Sequence, residues 1–341
     1  MSEQTRAMQT QTETVRCAMT ETANAYDDMP KTVAELDDLL PHLDDIRAAN
    51  VDHNMALIRA AAAKGARVIG LGEFCTTPYF ALSRHPMWRD LAEDPLEGPS
   101  ILSFSALARE LEVVIVAPIY EKCRRTGRRF NTAVVIDADG MVLGGYRKTH
   151  VPDGSNEKGS FHERFYYEAP DGPAPIQVSG ANISENPMFP VFRTRWLPIG
   201  VSICYDRHFG GVHRSLAANG AHLIFAPAVT FGEQSERMWE LEFPVDAARY
   251  RVWIAGSNRA GIEPPWGQPF YGRSYVAGPD GRPPVDRSVP GLVIFDVPAR
   301  VSRLNDPSGW CLVEDRRDDL YGAVRSPDAL NRPPVRSQRR D

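Results

Sequence analysis

Leu197-Pro198-Ile199-Gly200-Val201-Ser202-Ile203-Cys204 is an apolar run that ends in a thiol, and Tyr205-Asp206-Arg207-His208 follows it before a helix predicted from Gly211. The run reads as a buried strand. A cysteine at a strand-to-helix turn meets helix N-terminal amides, which favour the thiolate, the reactive form. Free cysteine is also among the most buried residue types, so the position equally admits a small core hydrophobe. Similar runs recur at 15–20, 66–74, 113–121, 131–137, 141–148, 222–228, 252–258, 273–277 and 292–297. They alternate with amphipathic stretches, the pattern of a mixed α/β fold in which helices cover sheets. Between 98 and 112, Ile101, Phe104, Leu107, Ala108 and Leu111 recur every three to four residues, which predicts one helix with a single buried face. Asp137-Ala138-Asp139-Gly140 separates two strand runs and predicts a hairpin, because glycine accepts positive φ. The sheets therefore contain antiparallel pairs.

Composition narrows the function. The 341 residues are 43% hydrophobic and 24% charged, as in globular proteins, and the formal charge of −5 supplies no basic field for a nucleic-acid backbone. No run approaches the roughly 18 apolar residues of a membrane span, and the start lacks the apolar core of a signal peptide, so a cytoplasmic protein is expected. The five cysteines, Cys17, Cys75, Cys123, Cys204 and Cys311, are scattered and form no C-x-x-C, and the eight histidines show no H-E-x-x-H. Disulfides, a metal site and a cofactor are not expected. One domain is predicted over 15–324, with mobile tails at 1–14 and 325–341, and the Pro- and Gly-rich stretch 170–190 reads as a long surface loop.

Three further positions carry candidate chemistry, two of them at the ends of strands as Cys204 is. Glu73 ends an apolar run, where partial desolvation raises a carboxyl pKa and suits it to remove a proton, although a solvated loop carboxylate or a cap fits the same position. Lys148 closes the run 141–148, placed to stabilise an oxyanion or simply to sit on the surface. Glu163 lies among aromatics in Phe161-His162-Glu163-Arg164-Phe165-Tyr166-Tyr167, shielded from water or paired with a nearby arginine.

Taken in order, a Glu motif, a Lys motif and a Cys motif resemble the nitrilase-like carbon-nitrogen hydrolase superfamily. Within it the chain is similar to the β-ureidopropionases, N-carbamoyl-β-alanine amidohydrolases. The similar stretches are Arg147-Lys148-Thr149-His150-Val151-Pro152, Glu163-Arg164-Phe165-Tyr166-Tyr167, Ile203-Cys204-Tyr205-Asp206-Arg207-His208, Asn258-Arg259-Ala260-Gly261-Ile262-Glu263 and Phe270-Tyr271-Gly272-Arg273-Ser274-Tyr275. Three departures are Gly210-Gly211 in place of Pro-Glu or Pro-Leu, Arg273 in place of a small residue, and the longer stretch 170–190.

The resemblance implies an α-β-β-α sandwich that pairs through helices into a homodimer or larger assembly, acting on a small amide or ureido substrate. It implies that Glu73 takes the Cys204 proton, that Lys148 and the Tyr205 backbone N–H face the oxyanion, and that Glu73 or Glu163 activates water, with Glu163 also holding Lys148. Arg207 admits two roles, binding a substrate carboxylate or fixing the loop by pairing with Asp206 or Glu163. The first leads us to expect an acidic substrate, an N-carbamoyl amino acid such as N-carbamoyl-β-alanine, hydrolysed to the amino acid, ammonia and CO2. An aliphatic amidase, an N-carbamoylputrescine amidase or a nitrilase would use the same Cys, Glu and Lys. A papain-like protease would need a Cys–His pair and that family's C-G-S-C-W context, absent here, and a silent assembly subunit would show degenerate motifs.

Overall fold

Side chains of the first strand that enter two different cores in turn set the layers. In β1 (Thr14–Thr20), Val15, Cys17 and Met19 join one apolar cluster with Ile199, Val201 and Phe225, whereas Ala18 joins another with Leu57, Ile58, Ile101 and Phe104. A strand whose two faces enter different cores must lie between two layers. The computed structural model describes residues 14–176, 178, 180–300, 306, 308–317 and 320. The expected tails at 1–14 and 325–341 lie outside these, Thr14 apart.

The chain continues through α1 (Leu43–Ala63), β2 (Val68–Gly70), α2 (Pro99–Leu111), β3 (Val114–Lys122), β4 (Arg129–Ile136) and β5 (Val142–Arg147). Then come β6 (Gly154–Asn156), β7 (Gly159–Phe161), α3 (Glu163–Tyr166), β8 (Val191–Arg193), β9 (Pro198–Val201), α4 (Gly210–Ala218), β10 (Leu223–Ala228) and α5 (Glu233–Tyr250). The last elements are β11 (Trp253–Asn258), β12 (Ala260–Glu263), β13 (Gln268–Tyr271), β14 (Tyr275–Ala277) and β15 (Leu292–Pro298).

One sheet has the order β15-β1-β2-β3-β4-β5 and the other β14-β11-β10-β9-β8. Each has a parallel centre, β1-β2-β3 or β9-β10-β11, with antiparallel strands at its flanks. Helices α1 and α2 cover the outer face of the first sheet, and α4 and α5 pack against elements of the second. This is an α-β-β-α sandwich with mixed sheets. The two sheets meet closely at Gly70, where an added Cβ would lie 2.3 Å from the Phe225 ring, so any larger residue would push the layers apart.

The helix expected at 98–112 runs from Pro99 at its first turn to a left-handed cap at Glu112, φ 52°. The hairpin over 137–140 joins β4 to β5, with Gly140 at φ 83°. The stretch 170–190 holds no regular helix or strand among its described residues, yet it is not merely a surface loop. Ala174 and Ile176 pack into the helix-side core, and the Val178 amide bonds to the Leu143 carbonyl at 2.9 Å. Arg273, φ 56°, ion-pairs with Glu236 on α5. The chain falls into two units, 1–303 and 304–341, and the described part of the second consists of turns around Cys311.

Candidate active site

The parallel centres of the two sheets supply Glu73 and Cys204, and the antiparallel edge strand β5 and helix α3 bring Lys148 and Glu163 beside Glu73. Cys204 follows β9, Glu73 follows β2, Lys148 follows β5, and Glu163 opens α3. Lys148 Nζ donates to Glu163 Oε2 at 2.7 Å and to Glu73 Oε1 at 3.0 Å. All three side chains are buried, two carboxylates around one ammonium. The pairing expected for Glu163 with a nearby arginine is therefore replaced by Lys148.

Cys204 meets Glu73 through one peptide segment: the Val229 amide donates to Glu73 Oε2 at 2.7 Å, and the Cys204 thiol lies 3.7 Å from the Val229 carbonyl. The thiol opens into a cavity of about 300 Å³ that also exposes Tyr79, Glu157, Glu163, Tyr205, Arg207 and Phe231. Cys204 has φ 49°, a left-handed conformation that an L-residue keeps only when its surroundings over-determine it. They do. Before it, Ser202 Oγ contacts His213 Nε2 at 2.9 Å, and His213 Nδ1 contacts Asp246 Oδ2 on α5 at 2.8 Å. After it, Glu242, one turn earlier on α5, contacts Arg207 and His208. Arg207 in turn donates to the Cys204 carbonyl at 2.9 Å. The first bond of the 3-10 turn Cys204–His208 is Asp206 N–H to the Ile203 carbonyl, 3.0 Å, so the Cys204 and Tyr205 amides precede it.

Several positioning groups escaped the sequence reading. Asn131 Nδ2 donates to Glu73 Oε1 at 2.7 Å, and Tyr79 OH donates to Glu163 Oε1 at 2.8 Å. Arg259 donates to the carbonyls of Glu73, Phe74 and Thr77, bracing the loop that carries Glu73. Asp206, fully buried, accepts from Tyr146 OH at 2.7 Å, Thr149 Oγ1 at 2.9 Å and the Ile203 amide at 3.0 Å, and so ties the Lys148 segment to the cysteine turn. A buried Asn at the start of an otherwise apolar strand was the one visible signal, at Asn131.

Electrostatics reverses the expectation that helix amides hold Cys204 as a thiolate. Burial first, then Glu73, pushes the Cys204 thiol up to about 12, against the opposing pull of Lys148 and Arg207. The 3-10 turn is too short to outweigh two buried carboxylates. Burial alone would depress the Lys148 ammonium, but Glu163 and then Glu73 outweigh it and hold it well above the ordinary lysine value. Burial raises Glu163 despite Lys148. Cys17 and Cys75 are likewise raised by burial.

These raised thiols carry a sign for stability. Each is protonated in the folded protein while the unfolded chain ionises from pH about 8.5 upward, so the unfolded state binds fewer protons and stability falls as pH rises. Urea unfolding at pH 10 is expected to lose about 1–2 kcal/mol per buried thiol relative to pH 7.5. For Cys204 the loss should continue until its folded value near 12. A stability flat from pH 8 to 10.5 would contradict the assignment.

Among the described residues, no group of three His, Cys, Asp or Glu side chains is arranged to hold a metal ion. The family model described as Carbon-nitrogen hydrolase matches residues 45–302. The chain belongs to the carbon-nitrogen hydrolase family. It is thus an enzyme of the nitrilase superfamily, and the match begins in α1 and takes in every strand of the two sheets except β1. It is 32% identical over 300 residues to an N-carbamoylputrescine amidase of Oryza sativa subsp. japonica, covering 83% of this chain and 92% of that one. It is 33% identical over 264 residues to a beta-ureidopropionase of Arabidopsis thaliana, covering 72% of this chain and 60% of that one. A carbon-nitrogen hydrolase from Helicobacter pylori G27 shares the fold, with TM-score 0.69, 24% identity, and coverage of 94% and 99%.

In this carbon-nitrogen hydrolase, Arg207 has a partner that neither expected pairing named. Its Nε lies 3.1 Å from Glu242 Oε2 without hydrogen-bond alignment, and its remaining nitrogens reach Ser235 Oγ at 3.1 Å and Thr230 Oγ1 at 3.4 Å as well as the Cys204 carbonyl. Asp206 is occupied by the Tyr146–Thr149–His150 contacts and Glu163 by Lys148 and Tyr79.

Proposed function

We propose that this hydrolase cleaves N-carbamoyl compounds, R–NH–CO–NH2, with Cys204 as the covalent nucleophile. The observation that carries the reading is the buried Glu73–Lys148–Glu163 cluster, with its surplus negative charge, beside a protonated thiol. Glu73 accepts the thiol proton as sulfur attacks the ureido carbon, so charge separates only as the new C–S bond forms. Lys148 and the Tyr205 amide stabilise the oxyanion. The C–NH2 bond breaks, the proton returns to nitrogen, and ammonia leaves a thiocarbamate on Cys204. Water, deprotonated by Glu73 or Glu163, then releases a carbamic acid that decomposes to R–NH2 and CO2. Glu163 also holds Lys148 against Glu73.

The charges around the cavity support a distal ammonium on R. Arg207 is already offset by Glu242, whereas Glu157 lines the cavity with its carboxyl held below the usual range by its own amide and that of Glu233. A second reading, an N-carbamoyl amino acid such as N-carbamoyl-β-alanine gripped by Arg207, is favoured by the guanidinium lining the same cavity. An ammonia-release panel separates them. N-carbamoylputrescine is expected to exceed N-carbamoyl-β-alanine, a simple amide and a nitrile by tenfold or more in kcat/KM. Glu157→Gln should raise its KM far more than it lowers kcat, as for a contact equal in ground and transition states. A lead for N-carbamoyl-β-alanine would transfer the assignment to Arg207, and a lead for the amide or nitrile would remove the ureido reading altogether.

The proposal includes a homodimer or larger assembly acting in the cytoplasm, where unpaired thiols persist. Leu241 and Val245, one turn apart on the outer side of α5, are about half exposed and suit helix pairing. Light scattering at micromolar concentration should exceed the monomer mass of 37.9 kDa; a strict monomer would end this part of the proposal. No helix among the described residues is long and apolar enough to cross a membrane.

A further inference from the structure

A second cavity, of about 380 Å³, shares no lining residue with the one that holds Cys204. Four arginines line it, Arg89, Arg128, Arg129 and Arg164, against one acidic residue, Glu168. Arg128 is matched by Glu168 at 2.8 Å and Asp171 at 2.8 Å. The other three make no ion pair with the described residues. Each is instead held by one carbonyl: Arg89 donates to Phe165 O at 2.7 Å, Arg129 Nε to Arg89 O at 3.1 Å, and Arg164 Nε to Val151 O at 3.0 Å. The Arg89 guanidinium also lies over the Phe165 ring, 4.4 Å from its centroid.

Like charges that line one cavity repel, and they do so here on a chain whose formal charge is −5. Carbonyl anchors fix the direction of each guanidinium without neutralising it, which leaves its other N–H groups for a planar or tetrahedral oxyanion. Preorganisation of this kind lowers the ordering cost of binding, and arginine suits multivalent oxyanions because its donors form a rigid fork. We propose that this cavity binds a small oxyanion of two or more charges, such as phosphate or a dicarboxylate, through Arg89, Arg129 and Arg164. The site backs onto the catalytic layer. Arg164 follows Glu163 on α3, and Tyr167 lines the cavity while the centroid of its ring lies 6.0 Å from Lys148 Nζ.

The test is calorimetry of the full chain without substrate, so it stands or falls apart from the carbamoyl reading. Inorganic phosphate and malonate are titrated separately at low ionic strength, with sodium chloride matched for ionic strength as the screening control. Phosphate, malonate or both are expected to bind saturably, with Kd on the order of 1 mM or tighter. The arm that binds more tightly identifies the tetrahedral or the planar class. Arg129→Gln/Arg164→Gln should weaken that binding about tenfold or more, while Arg125→Gln, exposed and outside the cavity, should leave it unchanged. Arg164→Gln alone, at an exposed position that carries little fold risk, should weaken it several-fold. No saturable heat for either anion, heat reproduced by chloride, or binding unaltered in the Arg164 variant would overturn the site.

Discussion

Cys204→Ala is expected to abolish ammonia release, lowering kcat by about 10⁴-fold or more, while the protein folds as before. Neither Glu73 nor Lys148 can form the bond to carbon, so nothing replaces sulfur. The structural cost is small. Alanine pays the same left-handed penalty at φ 49° that cysteine already pays, and loss of one sulfur leaves a small void at a cavity wall. Ammonia release measured beside urea unfolding checks both halves. Turnover near the wild-type rate would remove Cys204 as nucleophile, and mass spectrometry of the wild type under turnover should find the thiocarbamate on this residue.

Lys148→Met is expected to fail in both activity and stability. Without the ammonium, Glu73 and Glu163 face each other buried, and leaving a buried charge without its partner costs about 3–5 kcal/mol. Part of that cost is relieved by proton uptake, so the loss should shrink as pH falls toward the carboxylate range. Turnover should drop about 10³-fold, as the oxyanion loses its cation. Glu73→Gln makes the contrast: it keeps the Lys148–Glu163 pair and the shape, but its NH2 replaces an oxygen that accepts from Val229 or from Asn131 and Lys148. Stability should therefore fall by about 1–3 kcal/mol, less than in Lys148→Met, while kcat falls about 10²-fold or more through loss of the base. A Lys148→Met protein as stable as the wild type would refute the electrostatic account of the cluster.

Much of the layer order was legible. The apolar runs at 15–20 and 113–121, the buried stripe of 98–112 and the Asp-Gly turn at 137–140 are local patterns, and local patterns survive in the sequence because a buried strand or a helix face is set by its own residues. The short strands of the small hairpins, Gly154–Asn156 with Gly159–Phe161 and Ala260–Glu263 with Gln268–Tyr271, were not legible. They lack an apolar repeat and are defined by partners. The stretch 170–190 is an irregular loop as expected, but its anchoring was not legible for the same reason: Ala174 and Ile176 become core only because the helix-side layer lies beneath them.

By itself the sequence determined that Glu73, Lys148 and Cys204 stand at strand ends with chemically useful side chains, that Glu163 lies among aromatics, and that sheets would be covered by helices. Only the tertiary structure decided what those groups feel. That Lys148 bridges two carboxylates, that Cys204 is held as a thiol, and that Glu242 and Asp246 on α5 support the cysteine turn from both sides depend on segments far apart in the chain. Charge interactions and desolvation scale with distance and burial in space, and neither quantity is written along the chain. The role of Arg207 shows the consequence, since its counter-charge, Glu242, lies 35 residues away and carries no local mark in the sequence.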